Sequence, residues 1–121
     1  MKTHQDMRAP SHISIWLGSI ADEAALDAYM NETFAEDFGF DIYYPDGPEA
    51  AAQSKTDIRT LLTGFSRWQL FIDAAVAAAA AAGIDQACSA IVFYNFVYDP
   101  ILVKNRQAPF TYIGAVPYQV R

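Results

Sequence analysis

The chain has 121 residues, 53% hydrophobic and only 18% charged, which suits one folded domain burying roughly 65% of its unfolded surface and excludes a disordered chain. Its formal net charge of −6 repels a phosphate backbone, which argues against nucleic acid as a partner and favours a basic one. The single cysteine, Cys88, rules out an intrachain disulfide, and its neighbours Ala87, Ala90 and Ile91 suit a buried packing residue better than a reactive thiol.

Residues 1–11 are polar, lack the apolar run of a secretory signal, and read as a flexible tail. Residues 12–121 then form a single domain. Residues 12–18 alternate, with Ile13, Ile15 and Leu17 on one side and His12, Ser14 and Trp16 on the other, the period of a half-buried strand. Residues 22–31 read as a helix capped by Asp22 or Ser19, because a side-chain oxygen there can accept from the free amides of the first turn. Leu26, Tyr29 and Met30 face inward; Glu23 and Asp27, four apart, share the outer face. Residues 34–38 make a helical turn ended by Gly39. Residues 40–44 suit a short edge strand or a loop, Pro45-Asp46-Gly47-Pro48 is a turn, and residues 49–55 show no pattern.

Residues 57–63 predict a short helix with Ile58, Leu61 and Leu62 inward, ended by Gly64. Ser66 caps a long helix running to Ala82 and stopped by Gly83. Its inward face uses Trp68, Phe71, Ile72, Ala75, Val76 and Ala79, and its alanines favour helix and close packing. The apolar tract over residues 74–82 is far short of the roughly 20 residues that span a bilayer, so the expected compartment is the cytoplasm, with no membrane partner. Residues 88–98 form an apolar strand. Ala90, Val92, Tyr94, Phe96 and Tyr98 share one face; Ile91, Phe93, Asn95 and Val97 share the other. Residues 110–116 form the last strand, expected to pair antiparallel with residues 88–98. The expected fold is α+β, in the order β-α-α-α-β-β. Its sheet has three or four strands, antiparallel or mixed, with helices packed mainly on one face.

No catalytic constellation has specific spacing. His4 lies in the tail and His12 on the outward side of the first strand, neither with a partner at metal-ligand spacing, so no metal and no cofactor is expected. The glycines are isolated turn or helix-end residues, and Ser66 is a helix cap with no base beside it. The chain therefore reads as a non-enzyme. Its uneven feature is charge: ten acids lie between Asp22 and Asp57 against one base, Lys55, a net of −9, while the rest of the chain carries +3. Such a segment either solvates the protein or docks a basic partner. The candidate partner-binding residues are Glu23, Asp27, Glu36, Asp37, Asp41, Asp46 and Glu49, with Tyr43 and Tyr44 as exposed aromatics beside them. A second candidate face is aromatic, built on Trp16, Tyr94 and Tyr112, and suits a small-molecule or regulatory ligand.

Several segments, in order, resemble the immunity protein 22 family of bacterial polymorphic toxin systems. They are His12-Ile13-Ser14-Ile15-Trp16-Leu17-Gly18-Ser19, the acidic helix with Leu26-Asp27-Ala28-Tyr29, Phe34-Ala35-Glu36-Asp37-Phe38-Gly39 and Leu61-Leu62-Thr63-Gly64-Phe65-Ser66. Phe93-Tyr94-Asn95-Phe96-Val97-Tyr98-Asp99 and the closing strand from Phe110 to Tyr118 complete the set, which spans nearly the whole chain. The alanine tract departs from the more mixed helix of the family. The resemblance implies a cytosolic protein that binds and neutralises a cognate toxin by stoichiometric contact, and it supplies no catalytic motif. Many toxins of such systems are nucleases, whose phosphate-holding sites are basic.

Overall fold

The computed structural model describes residues 4–42 and 47–118. Four strands form one antiparallel sheet: β1 (Arg8–Gly18), β2 (Glu49–Asp57), β3 (Gln86–Phe96) and β4 (Phe110–Pro117), in the spatial order β2-β3-β1-β4. Between β1 and β2 come the helices α1 (Glu23–Glu32) and α2 (Phe34–Phe38); between β2 and β3 come α3 (Ile58–Leu62) and α4 (Ile72–Ala81). The chain is α+β as expected, but its order is β-α-α-β-α-α-β-β, and β4 pairs with β1 instead of with β3, because the buried central β1 lies between them and makes β4 run parallel to β3.

The helices cover both faces of the sheet, not mainly one. Ile13, Ile15, Leu17, Ala90 and Val92 pack with α3 and α4 through Ile58, Leu61, Leu62, Phe71, Ile72, Ala75 and Ala79. On the other face Trp16, Ile91 and Phe93 pack with α1 and α2 through Leu26, Tyr29, Phe34 and Phe38. The cause lies in the central strands. β3 is apolar on both sides and β1 adds Trp16 to its second face, and a strand with two apolar faces must be covered twice.

Three further departures have local causes. First, β1 starts at Arg8 after a 3-10 turn over Gln5–Met7, so the expected tail contributes to the fold, with His4 and Met7 buried. His4 lies edge-on against Phe93 and Phe96, at ring-centroid distances of 5.4 and 4.9 Å. Second, residues 49–55 belong to β2. Three successive alanines give no alternation and little intrinsic strand preference; the ladder to β3 and the flanking helices impose the extended form.

Third, the face pattern of β3 breaks near its end. Asn95 takes a left-handed conformation, φ 55°, and Ser11 on β1 does the same, φ 64°. The β1–β3 register shifts between Arg8 and Ile13. This bulge turns Phe96 and Tyr98 onto the Trp16 face, away from Tyr94. Ser14, fully buried, fixes it by donating to Phe96 O at 2.9 Å and accepting from Tyr98 N at 3.0 Å.

The long helix also differs. It begins at Ile72, after a 3-10 turn over Trp68–Leu70 with Arg67 left-handed, so Ser66 does not cap it. The inward residues Phe71, Ile72, Ala75 and Ala79 are buried as read, with Trp68 and Val76 partly so. Cys88 is half-buried and free.

Candidate functional site

The acidic layer rests on α1 and α2. Asp22 caps α1, its carboxylate accepting from Ala25 N at 2.9 Å. Leu26 and Tyr29 then face the sheet, which turns Glu23 and Asp27 to solvent. Glu36 on α2 and Asp41 after it are exposed as well. Among the described residues, no ion pair engages Glu23, Asp27, Glu36 or Asp41, and no lysine or arginine occurs from Asp22 to Ser54. The field of an exposed carboxylate without a counter-charge reaches about 8–10 Å at physiological salt.

Asp37 does not belong to that surface. It is 6% exposed, and its carboxylate accepts from Tyr29 OH at 2.7 Å and Asn105 Nδ2 at 3.1 Å. Its carbonyl accepts from Lys104 N and Asn105 N at 2.8 and 3.2 Å. The residue ties α1 and α2 to the β3–β4 connection. Burial, and then the hydrogen bond to Asp37 and its charge, push the Tyr29 phenol well above its usual range. A neighbouring contact explains Gly39: it sits at φ 77°, and a Cβ there would strike Leu102 O.

Glu49 lies on the opposite side of the sheet from α1. It accepts from Ser66 N at 3.1 and 3.3 Å through its two oxygens, while Tyr94 OH donates to Ser66 O at 2.6 Å. Burial, followed by the hydrogen bond to Glu49, raises the Tyr94 phenol. These three residues join β2 and β3 to the α3–α4 connection. Tyr43, Tyr44 and Asp46 lie outside the described residues. Of the acids named from sequence, the structure leaves Glu23 and Asp27 of α1, Glu36 of α2 and Asp41 after it exposed, and puts Asp37 and Glu49 to structural use.

The second candidate face is not assembled. Trp16 is fully buried under α1 and α2 and lies 4.8 Å from Tyr112, whereas Tyr94 packs on the other face near Phe71 and Tyr118. Clefts of about 200–420 Å³ occur at the sheet margins, and that of about 200 Å³ is lined by Tyr112 with Phe38 and Phe110. Among the described residues no three His, Cys, Asp or Glu side chains converge as metal ligands, and no helix is long and apolar enough to cross a membrane. Sequence reading missed β2 as an element of the site. The one local signal was Asp57, which caps α3 by accepting from Thr60 N at 3.0 Å and so marks a boundary behind an extended segment.

Fold and surface together define an α+β domain in which α1 and α2 carry exposed carboxylates over a packed sheet. The family model described as Immunity protein 22 matches residues 13–119. The chain belongs to the immunity protein 22 family, which carries a toxin-neutralising role. No curated protein and no solved structure matches it.

Proposed function

We propose that the chain neutralises a cognate bacterial toxin in the cytoplasm by stoichiometric, non-enzymatic contact, and that the toxin meets the acidic layer of α1 and α2. The observation that carries this reading is the set of exposed carboxylates without ion pairs, Glu23, Asp27 and Glu36 on helices packed over an aromatic core and Asp41 just after them. A basic toxin surface complements that layer, and a nuclease site, positive because it binds phosphate, is the natural case. Tyr43, Tyr44 and Asp46 follow Asp41 in sequence and extend the proposed contact segment. The same charge disfavours nucleic acid itself as a partner. The aromatic-face alternative loses its basis, since Trp16 is buried and Tyr94 is on the other side.

The test is co-expression with the toxin encoded by the adjoining gene. Growth rescue and a one-to-one complex are expected. Absence of both contradicts the reading.

A further inference from the structure

β2 is an edge strand. β3 pairs with one of its sides, and no described strand pairs with the other. An antiparallel ladder sends the amide and carbonyl of every second residue to the free side. Ala52 belongs to that outward set, because its N–H points to Glu23 Oε1, at 3.5 Å, and away from β3. Ala50 shares its phase, the bulge in β2 falling between Ala52 and Thr56. The Glu23 contact is long enough to be weak, so the carboxylate guards the edge without closing it. Beside the edge lies a groove of about 420 Å³, lined by Glu49, Ala51 and Gln53 of the strand and by Thr60, Leu61 and Phe65 of α3 and its exit turn.

We propose that this edge accepts an extended, basic segment of the partner protein as a fifth strand. The inference rests on the toxin-binding reading and specifies how the toxin is held. Backbone groups of Ala50 and Ala52 would supply main-chain hydrogen bonds, and the groove would take alternate side chains of the added strand. Methyl side chains at residues 50–52 leave the backbone open to close approach. Charge selects the occupant. Glu23 stands at the edge and Glu49 in the groove, with Lys55, inside the bulge, as the one base of the strand. A lysine or arginine of the incoming strand would draw the Glu23 carboxylate off Ala52 N–H and free that donor for the new ladder. The acidic layer of α1 would thus bring a basic partner to the edge that then binds it.

The experiment titrates the full chain with an alternating lysine–valine octapeptide and follows backbone amides by NMR. The amides of Ala50 and Ala52 should shift and gain protection from exchange, and the matching glutamate–valine peptide should bind at least about tenfold more weakly. N-methylating alternate peptide amides should abolish binding in one phase and spare it in the other, since only one set of N–H groups faces β2. Ala52→Pro removes the outward donor and obstructs the added strand, while an edge strand tolerates proline on its solvent side; it should weaken both the peptide and the toxin complex. Shifts confined to the exposed face of α1, equal binding of the two peptides, or indifference to N-methylation in both phases would overturn the proposal. Concentration-dependent signals at Ala50 and Ala52 without peptide, with a dimer in sedimentation, would assign the edge to a second copy and overturn it too. A toxin complex unchanged by Ala52→Pro refutes strand addition while leaving the toxin reading intact. A wild-type chain that neither binds nor rescues refutes the toxin reading itself.

Discussion

The two faces of the sheet are packed by different means. Under α1 and α2 the rings of Trp16, Phe34, Phe38, Phe40, Phe93 and Tyr98 interlock, mostly edge-on or tilted, at centroid distances of 4.9–6.4 Å. Under α3 and α4 the contacts are mainly aliphatic, with Phe65, Phe71 and Tyr118 among them, and Ala75 and Ala79 are buried in the same cluster as Ile13, Ile15 and Val92. Aromatic pairs add orientation to burial, so the first face is a stiff platform, and it is the one that carries the unpaired acids. The second face is a close-fitting seal with little room for change. The difference teaches that a hydrophobic strand pattern specifies burial, whereas the residue types on each side decide what the covering layer can hold in place.

The largest expected effect is at the centre of the platform. Trp16→Ala should lower stability by about 3–5 kcal/mol, measured by denaturant unfolding, because a fully buried ring leaves a cavity. Trp16→Phe should cost clearly less, since Nε1 is buried without a hydrogen-bond partner and its removal relieves that burden. A small effect of Trp16→Ala would break the claim that this face is the stiffer one.

Asp37→Ala should cost about 2–3 kcal/mol, because it leaves Tyr29 OH and the Asn105 amide without their acceptor. It should also loosen the β3–β4 connection, seen as faster exchange of the Lys104 and Asn105 amides. On the opposite face, Ala79→Leu should cost about 1–3 kcal/mol by overpacking. If that variant is neutral, the second face is looser than its alanines imply.

Alkaline pH probes both faces together. Tyr29, Tyr98 and Tyr112 on one face and Tyr94 on the other all have phenols raised above their ordinary value of 10.0, each chiefly by burial. Unfolded tyrosines release protons near pH 10, while the folded ones hold theirs, so the unfolded state binds fewer protons and stability falls as pH rises above that value. The stability these groups contribute is complete below pH 10. The tyrosinate absorbance of these four residues should therefore appear together with loss of the far-ultraviolet signal. Ionisation of these tyrosines in an intact fold would contradict their burial.

Much of the fold was legible. The alternation of Ile13, Ile15 and Leu17 against Trp16 gave the first strand its faces, and the inward residues of α1 and α3 followed from their spacing. Face assignment failed at Phe96 and Tyr98, because the left-handed turn at Asn95 is stabilised by distant partners, Ser11 N and Tyr118 OH. β2 was hidden because its alanines follow no strand period and its extended form depends on β3. Within the candidate site, Glu23 and Asp27 were readable from helix spacing. The burial of Asp37 was not, since it depends on Tyr29 and on Asn105, 68 positions further along the chain.

The smallest effect on stability should accompany the largest effect on recognition. Reversing Glu23, Asp27 and Glu36 to lysine should change unfolding free energy by only tenths of a kcal/mol per site, as exposed helix charges do. The direct test of the acidic-layer account is the association rate of that triple variant with the adjoining-gene toxin, measured by stopped flow at low and at physiological salt. The account predicts a rate at low salt reduced by about tenfold or more and a flatter salt dependence than wild type. Equal rates for the two proteins at both salt concentrations would contradict it and reduce the acids to a solvating role.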